Sequence, residues 1–249
     1  MKTLHVLALG VMIVGGLAIF EYWSATLYPM MDYQPHSLPS LPLGSRLECG
    51  YYKEEILVGQ YSFWVEAFEE FKGRDAYITK SRTSVTQSGK QVVIETVYVF
   101  SEDLSPLEYR LNATLGGEEQ FITCVFDEDG VNGTLFTEES TVNQPQELPG
   151  DTVLLDNYMF GHWSIFFKTF QPPPGRRVKV NVYIPQVLSW QLLELIADKK
   201  TTTVTIAGED YECNTVRAPK YDLWFYIHDG ELLRFEQPEQ EIVISLRKQ

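Results

Sequence analysis

The chain has 249 residues, with 20 basic side chains against 34 acidic ones and a formal net charge of −14. That balance excludes a nucleic-acid binder, which needs a basic face for phosphates, and a protein held to anionic lipid by its overall charge. Apolar residues at 44 % and charged residues at 22 % exclude a chain disordered throughout, while 14 Tyr, 14 Phe and 5 Trp lean toward β structure.

Residues 4–20 hold no acidic or basic side chain apart from His5. At a rise of about 1.5 Å per residue they span roughly 25 Å, the short end of a membrane helix. Tyr22, Trp23 and Tyr28 follow as an interfacial belt, and Lys2 before the segment with Glu21 after it places the N-terminus in the cytoplasm. Residues 1–21 therefore read as a signal anchor. The protein is expected in the cytoplasmic (inner) membrane, single pass, with its C-terminal domain extracytoplasmic. The runner-up is a cleaved signal peptide, with Leu4 to Val14 as apolar core and Gly16-Leu17-Ala18 before the cut, giving a secreted or periplasmic form. Pro29, Pro35, Pro39 and Pro42 make residues 22–44 an extended stalk, whose leucines have the option of packing along the domain edge.

Residues 45–249 read as one β body. Leu47, Cys49 and Tyr51 share a phase, and Ile56 to Val65 makes a long strand that shifts phase near Gly59, a residue suited to a bulge. Ser88-Gly89 marks a hairpin turn before Val92 to Phe100, the strongest strand signal in the chain. Pro106 to Leu111, Gln120 to Phe126 and Val131 to Phe136 follow. Asp127-Glu128-Asp129-Gly130 lacks the ligand spacing of a calcium loop and reads as a solvated hairpin tip. Late strands are Lys179 to Ile184, Thr202 to Ile206, Tyr211 to Val216, Leu223 to Ile227 and Ile242 to Leu246. Gln191 to Asp198 reads as strand because β-branched residues continue it. Roughly a dozen strands at spacings of about 8–15 residues predict a mainly β fold, one antiparallel sheet curled into a half-barrel.

One segment breaks the period. Leu154 to Phe170 predicts a helix, with Asp156 as N-cap and Pro172-Pro173-Pro174 as the stop. Met159, Trp163, Phe166 and Phe170 recur at helical spacing on one face, and Phe160 and Phe167 widen it. A helix this apolar must pack on the concave side of the sheet. Its aromatic face either fills the core or lines an apolar cavity, so Met159, Trp163, Phe166, Phe167 and Phe170 are the candidate ligand-binding residues.

No phosphate-binding loop, G-x-S-x-G or H-E-x-x-H occurs, so an enzyme is not expected; no catalytic residue, metal site or cofactor is assigned. His162 reads as a residue on the helix's less apolar side and His228 as part of a turn. Cys49, Cys124 and Cys213 alternate with apolar neighbours and read as buried thiols, with one disulfide left open. Asn112-Ala113-Thr114 and Asn132-Gly133-Thr134 are glycosylation triplets that matter only in a eukaryotic secretory path. Arg176-Arg177 with Lys179, and Lys199-Lys200, are the main basic spots, either solvated loops or a face for anionic lipid heads or an acidic partner.

Val153-Leu154-Leu155-Asp156-Asn157, Val180 to Pro185, Leu223-Trp224-Phe225-Tyr226 and Asp229-Gly230-Glu231-Leu232-Leu233-Arg234, taken with the export signal, form a layout over residues 46–247. It resembles bacterial extracytoplasmic domains of the LolA/LolB-like kind and a related, functionally uncharacterised periplasmic group. The resemblance implies an unclosed barrel of about eleven strands with helices plugging the concave face. It also implies a cavity for the acyl chains of lipoproteins. The functional expectation is a membrane-tethered extracytoplasmic binding module holding a lipid or acyl ligand, attached through residues 4–20. The alternative is a non-enzymatic structural or interaction protein of the cell envelope with a solid core and a protein partner.

Overall fold

The computed structural model describes residues 28–87, 89–115, 117–156 and 159–247. The anchor expected over residues 1–21 lies outside the described residues, among which no helix is long and apolar enough to cross a membrane.

The strands are β1 (Met30–Met31), β2 (Arg46–Lys53), β3 (Ile56–Phe71), β4 (Arg74–Gln87), β5 (Lys90–Ser101), β6 (Pro106–Leu115), β7 (Glu118–Asp127), β8 (Gly130–Phe136), β9 (Thr141–Gln146), β10 (Val153–Leu154), β11 (Arg177–Ile184), β12 (Ser189–Ala197), β13 (Thr202–Ile206), β14 (Glu209–Ala218), β15 (Leu223–His228), β16 (Glu231–Gln237) and β17 (Ile242–Leu246). One α-helix, α1 (Phe160–Thr169), is described.

The sheet is one, mainly β and curled as expected, but it has 17 strands rather than about eleven. The extra strands carry no alternation. β1 and β10 are two residues each, and β9 is almost wholly exposed, so neither burial nor period marks them in the sequence. β2 to β9 form one antiparallel meander and β11 to β17 another, and the two join where β17 pairs with β2, Ile244 opposite Tyr51. The phase shift falls as expected: the β2–β3 register slips beside Gly59. Three hairpins of the second meander share a turn that starts on proline. Pro185, Pro219 and Pro238 each accept the N–H of a left-handed residue three positions on, Leu188, Asp222 and Glu241.

The two ends of the sheet meet through side chains. The Tyr183 ring on β11 stands edge-on to Phe126 at 5.5 Å, and Cys124 Sγ donates to its hydroxyl at 3.9 Å. Gly133 on β8 makes room for it, since a Cβ there would lie 2.5 Å from the hydroxyl. Gln146 Nε2 donates to the Leu188 carbonyl at 2.8 Å. β9 is an edge strand, paired only with β8, and β10 and β1 run parallel to β11 at the other edge.

The proline-rich segment runs along the body. The His36 N–H donates to the Thr169 carbonyl at 2.8 Å, Leu38 and Leu41 are buried, and the Leu41 N–H donates to the Tyr77 hydroxyl at 3.3 Å. All three cysteines are buried free thiols. Burial pushes the Cys124 thiol up to about 12 and the Cys213 thiol up to about 11.

Candidate functional site

The concave side of the sheet holds α1. The helix is shorter than the sequence pattern, and its cap differs. Val153–Leu154 is strand β10, the Leu155 N–H donates to the Tyr183 carbonyl at 3.2 Å, and Met159 takes the N-cap position. Asp156 is no cap because it serves the interior: the Tyr109 hydroxyl donates to its Oδ2 at 2.5 Å, and the residue has no exposed surface. Val153 and Leu154 pair in parallel with Val182 and Tyr183 of β11, with both side chains buried.

The five expected site residues come together. Met159, Trp163, Phe166, Phe167 and Phe170 are each exposed by 4 % or less. Trp163 lies 4.3 Å from the Phe225 ring and stacks on Phe167 at 6.1 Å, and Phe167 is 5.0 Å from Phe225, which in turn meets Phe235 at 5.5 Å. Tyr33, from the proline-rich segment, stacks on Phe166 at 6.0 Å and stands edge-on to Phe170 at 5.0 Å. These rings are close-packed at the spacings aromatic pairs prefer. Surface clefts of about 370, 490 and 530 Å³ are present, and none is lined by any of the five residues.

The opposite flank of α1 is polar, which the sequence pattern did not show. The inward rows of β3 to β6 place Tyr61, Ser81, Thr96, Tyr98 and Tyr109 beneath the first turn. The Gly161 N–H donates to the Tyr61 hydroxyl at 2.8 Å, so a tyrosine completes one of the open donors of the helix N-terminus. Gly161 is required there, since a Cβ would sit 2.2 Å from Phe63 Cδ2. Ser81 Oγ lies 2.6 Å from Thr96 Oγ1 and 3.3 Å from Met159 Sδ. Burial holds the Tyr61, Tyr98 and Tyr109 hydroxyls protonated, with the Asp156 charge adding to it at Tyr109.

His162 is 2 % exposed rather than on an open helix side. Its ring lies 4.9 Å from Tyr98 and 5.9 Å from Tyr109, and neither of its nitrogens has a hydrogen-bond partner among the described residues. Burial pushes its pKa down to about 3, so the ring is neutral at ordinary pH. His228 is the last residue of β15 rather than part of the Asp229-Gly230 turn that follows it, with Nδ1 3.0 Å from the Glu212 carbonyl. Asp127-Glu128-Asp129 is an exposed hairpin tip, and the Asp129 N–H donates to Asp127 Oδ1 at 3.0 Å. Among the described residues no cluster of three or more His, Cys, Asp or Glu is placed to hold a metal ion. The one clue in the sequence to the polar flank was the small-polar alternation of Thr79, Ser81 and Thr83 on β4, all buried.

What fold and site define is a mainly β, open curled sheet plugged by a single aromatic helix. No known protein family matches the chain, and no curated protein matches it. Among solved structures it is similar to a DUF1089 family protein from Pseudomonas aeruginosa, at 10 % identity and a TM-score of 0.40, over 84 % of this chain and 96 % of that one. It is also similar to a beta-barrel-like protein of domain of unknown function DUF1849 from Brucella abortus, at 8 % identity and a TM-score of 0.41, over 82 % of this chain and 95 % of that one.

Proposed function

We propose that the protein is a membrane-tethered, extracytoplasmic, non-enzymatic binding module of the cell envelope with a solid core, which meets its partner through the outside of the sheet. The observation that carries this reading is the filled concave face. Met159, Trp163, Phe166, Phe167 and Phe170 occupy the space where an acyl chain would lie, and their rings pack on Phe225 and Tyr33. Acyl carriage of the LolA/LolB-like kind would require α1 to leave that space. It would then expose at least six large apolar side chains, each worth roughly 1.5–3 kcal/mol on burial. The interior groups with chemical potential are also held in their unreactive forms. The thiols and phenols are kept protonated and His162 is kept neutral.

The test is native mass spectrometry of the full chain released from membranes, followed by titration with a fluorescent fatty acid. The full chain is needed because Leu38 and Leu41 belong to the core and Tyr33 packs against it. No co-purified acyl ligand and no saturable fatty-acid binding are expected. A stoichiometric lipid lost on Trp163 substitution would replace this reading with the carrier. N-terminal sequencing of the membrane-bound protein is expected to begin at residue 1 or 2, and a start at Ile19 rejects the tether.

A further inference from the structure

We infer that the end of the body at which the chain emerges toward residues 1–27 is a docking surface for anionic lipid headgroups. The inference rests on the tethered reading above. Three backbone segments are tied together at this end. The Arg177 N–H donates to the Pro29 carbonyl at 3.2 Å, Met30 and Met31 pair parallel with Arg177 and Val178, and Ala197 and Gly175 bond across to Arg176 and Ala197. Tyr28 lies beneath Lys199, with Nζ 5.6 Å from the ring centroid.

On a chain of net charge −14, this end is basic. Arg176, Lys179, Lys199 and Lys200 are exposed, and none is in an ion pair among the described residues. Arg177 is neutralised by Glu194 at 3.1 Å, and Asp198 is taken by Arg217 at 2.5 Å. The acidic groups facing this end are Glu194, which lies opposite Lys179 across the β11–β12 ladder while pairing with Arg177, and Asp32 and Glu212, the last kept ionised by the hydroxyls of Thr203 and Thr201. Met30 is 42 % exposed beside the cations, an apolar side chain at headgroup level.

Position selects the lipid over a soluble acidic partner. Residues 21–27 are the only link between the apolar stretch of residues 4–20 and Tyr28, and seven residues reach at most about 25 Å. The basic end is therefore held within that distance of the bilayer, whatever the orientation of the rest. Screening confines each interaction to about 8–10 Å at ordinary ionic strength, so the acidic far side does not cancel the attraction of the near side. The overall charge excludes adhesion of a free body. It does not oppose a local patch already delivered to the surface by the tether.

The experiment is lysine acetylation footprinting of the full chain in nanodiscs of phosphatidylcholine alone or of an equal mixture with phosphatidylglycerol. Exposed Lys53, Lys72 and Lys90 are internal controls. Lys179, Lys199 and Lys200 are expected to react about fivefold more slowly in the anionic discs, with the controls unchanged. Ionic strength of about 1 M, where the screening length is about 3 Å, is expected to abolish the difference. The K199E/K200E variant, both positions being exposed, is expected to return Lys179 to its rate in neutral discs. Equal rates of the three lysines in the two discs, or protection that persists in high salt, would overturn the inference while leaving the tether intact. Release of the chain from both kinds of disc would instead defeat the tethered reading on which it rests.

Discussion

The two flanks of α1 are solved by different physics. Toward β15 and β16 the buried face of the helix is apolar: Trp163 and Phe167 pack on Phe225, which meets Phe235, and the half-exposed rim carries the Lys168–Glu231 ion pair, so stability there comes mainly from area and close packing. Toward β3 to β6 it meets Tyr61, Ser81, Tyr98 and Tyr109 with Asp156, and stability there comes from pairing these buried polar groups, while the His162 ring nitrogens are left unpaired among them. The apolar flank tolerates exchange among apolar shapes of similar volume. The polar flank fixes one rotation and depth of the helix, because Gly161 N–H and the Tyr61 hydroxyl meet in a single arrangement.

The largest break comes on the apolar flank. Trp163→Ala is expected to lower the unfolding free energy by about 3–5 kcal/mol, with an unchanged denaturant slope in urea melts. A loss below about 1 kcal/mol would mean that the helix already spends time outside the barrel, and would favour the carrier.

The difference between the flanks also explains what the sequence revealed. The period of Met159, Trp163, Phe166 and Phe170 was legible because one helix face is uniformly apolar, and it led to the concave side and to the burial of all five candidate residues. The role of Asp156 was not legible. Its place before an aromatic run matches a helix cap, whereas its real partner, Tyr109, lies 47 positions away on β6. Long-range polar pairings leave no local period. The same holds for the edge strands: Thr141 to Gln146 is exposed and contains Pro145, so only its ladder with β8 makes it a strand. The prolines at 185, 219 and 238 did carry a local signal, a recurring turn start, that hydrophobic alternation alone passes over.

The polar flank is expected to break less steeply. Tyr109→Phe removes the donor to a buried carboxylate and is expected to cost about 1.5–3 kcal/mol, measured at pH 7. A cost near zero would mean that Asp156 is fully served by its other contacts. Ser81→Ala, which removes a hydroxyl shared with Thr96 and aimed at Met159, is expected to cost about 0.5–1.5 kcal/mol. If its cost exceeded that of Trp163→Ala, the assignment of packing to one flank and polar satisfaction to the other would be reversed.

The smallest effect at neutral pH belongs to His162, and it grows in acid. The folded-state pKa is depressed from 6.5 to about 3, so between those values the unfolded chain binds a proton that the folded chain does not. The sign follows. The ring places no penalty on folding above pH 6.5, and stability falls as the pH drops from there toward 3, at up to about 1.4 kcal/mol per pH unit. His162→Leu removes the proton acceptor and places an apolar side chain among the Tyr98 and Tyr109 rings. At pH 7.5 it is expected to change stability by about 1 kcal/mol or less, because the replaced nitrogens were making no hydrogen bonds. At pH 4.5 the variant is expected to be more stable than the wild type, and carboxylates common to both proteins cancel from the difference. Parallel stability curves for the two proteins from pH 7.5 to pH 4.5 would show that the ring gains a proton partner in the fold, and that water or Asp156 reaches it beneath the helix.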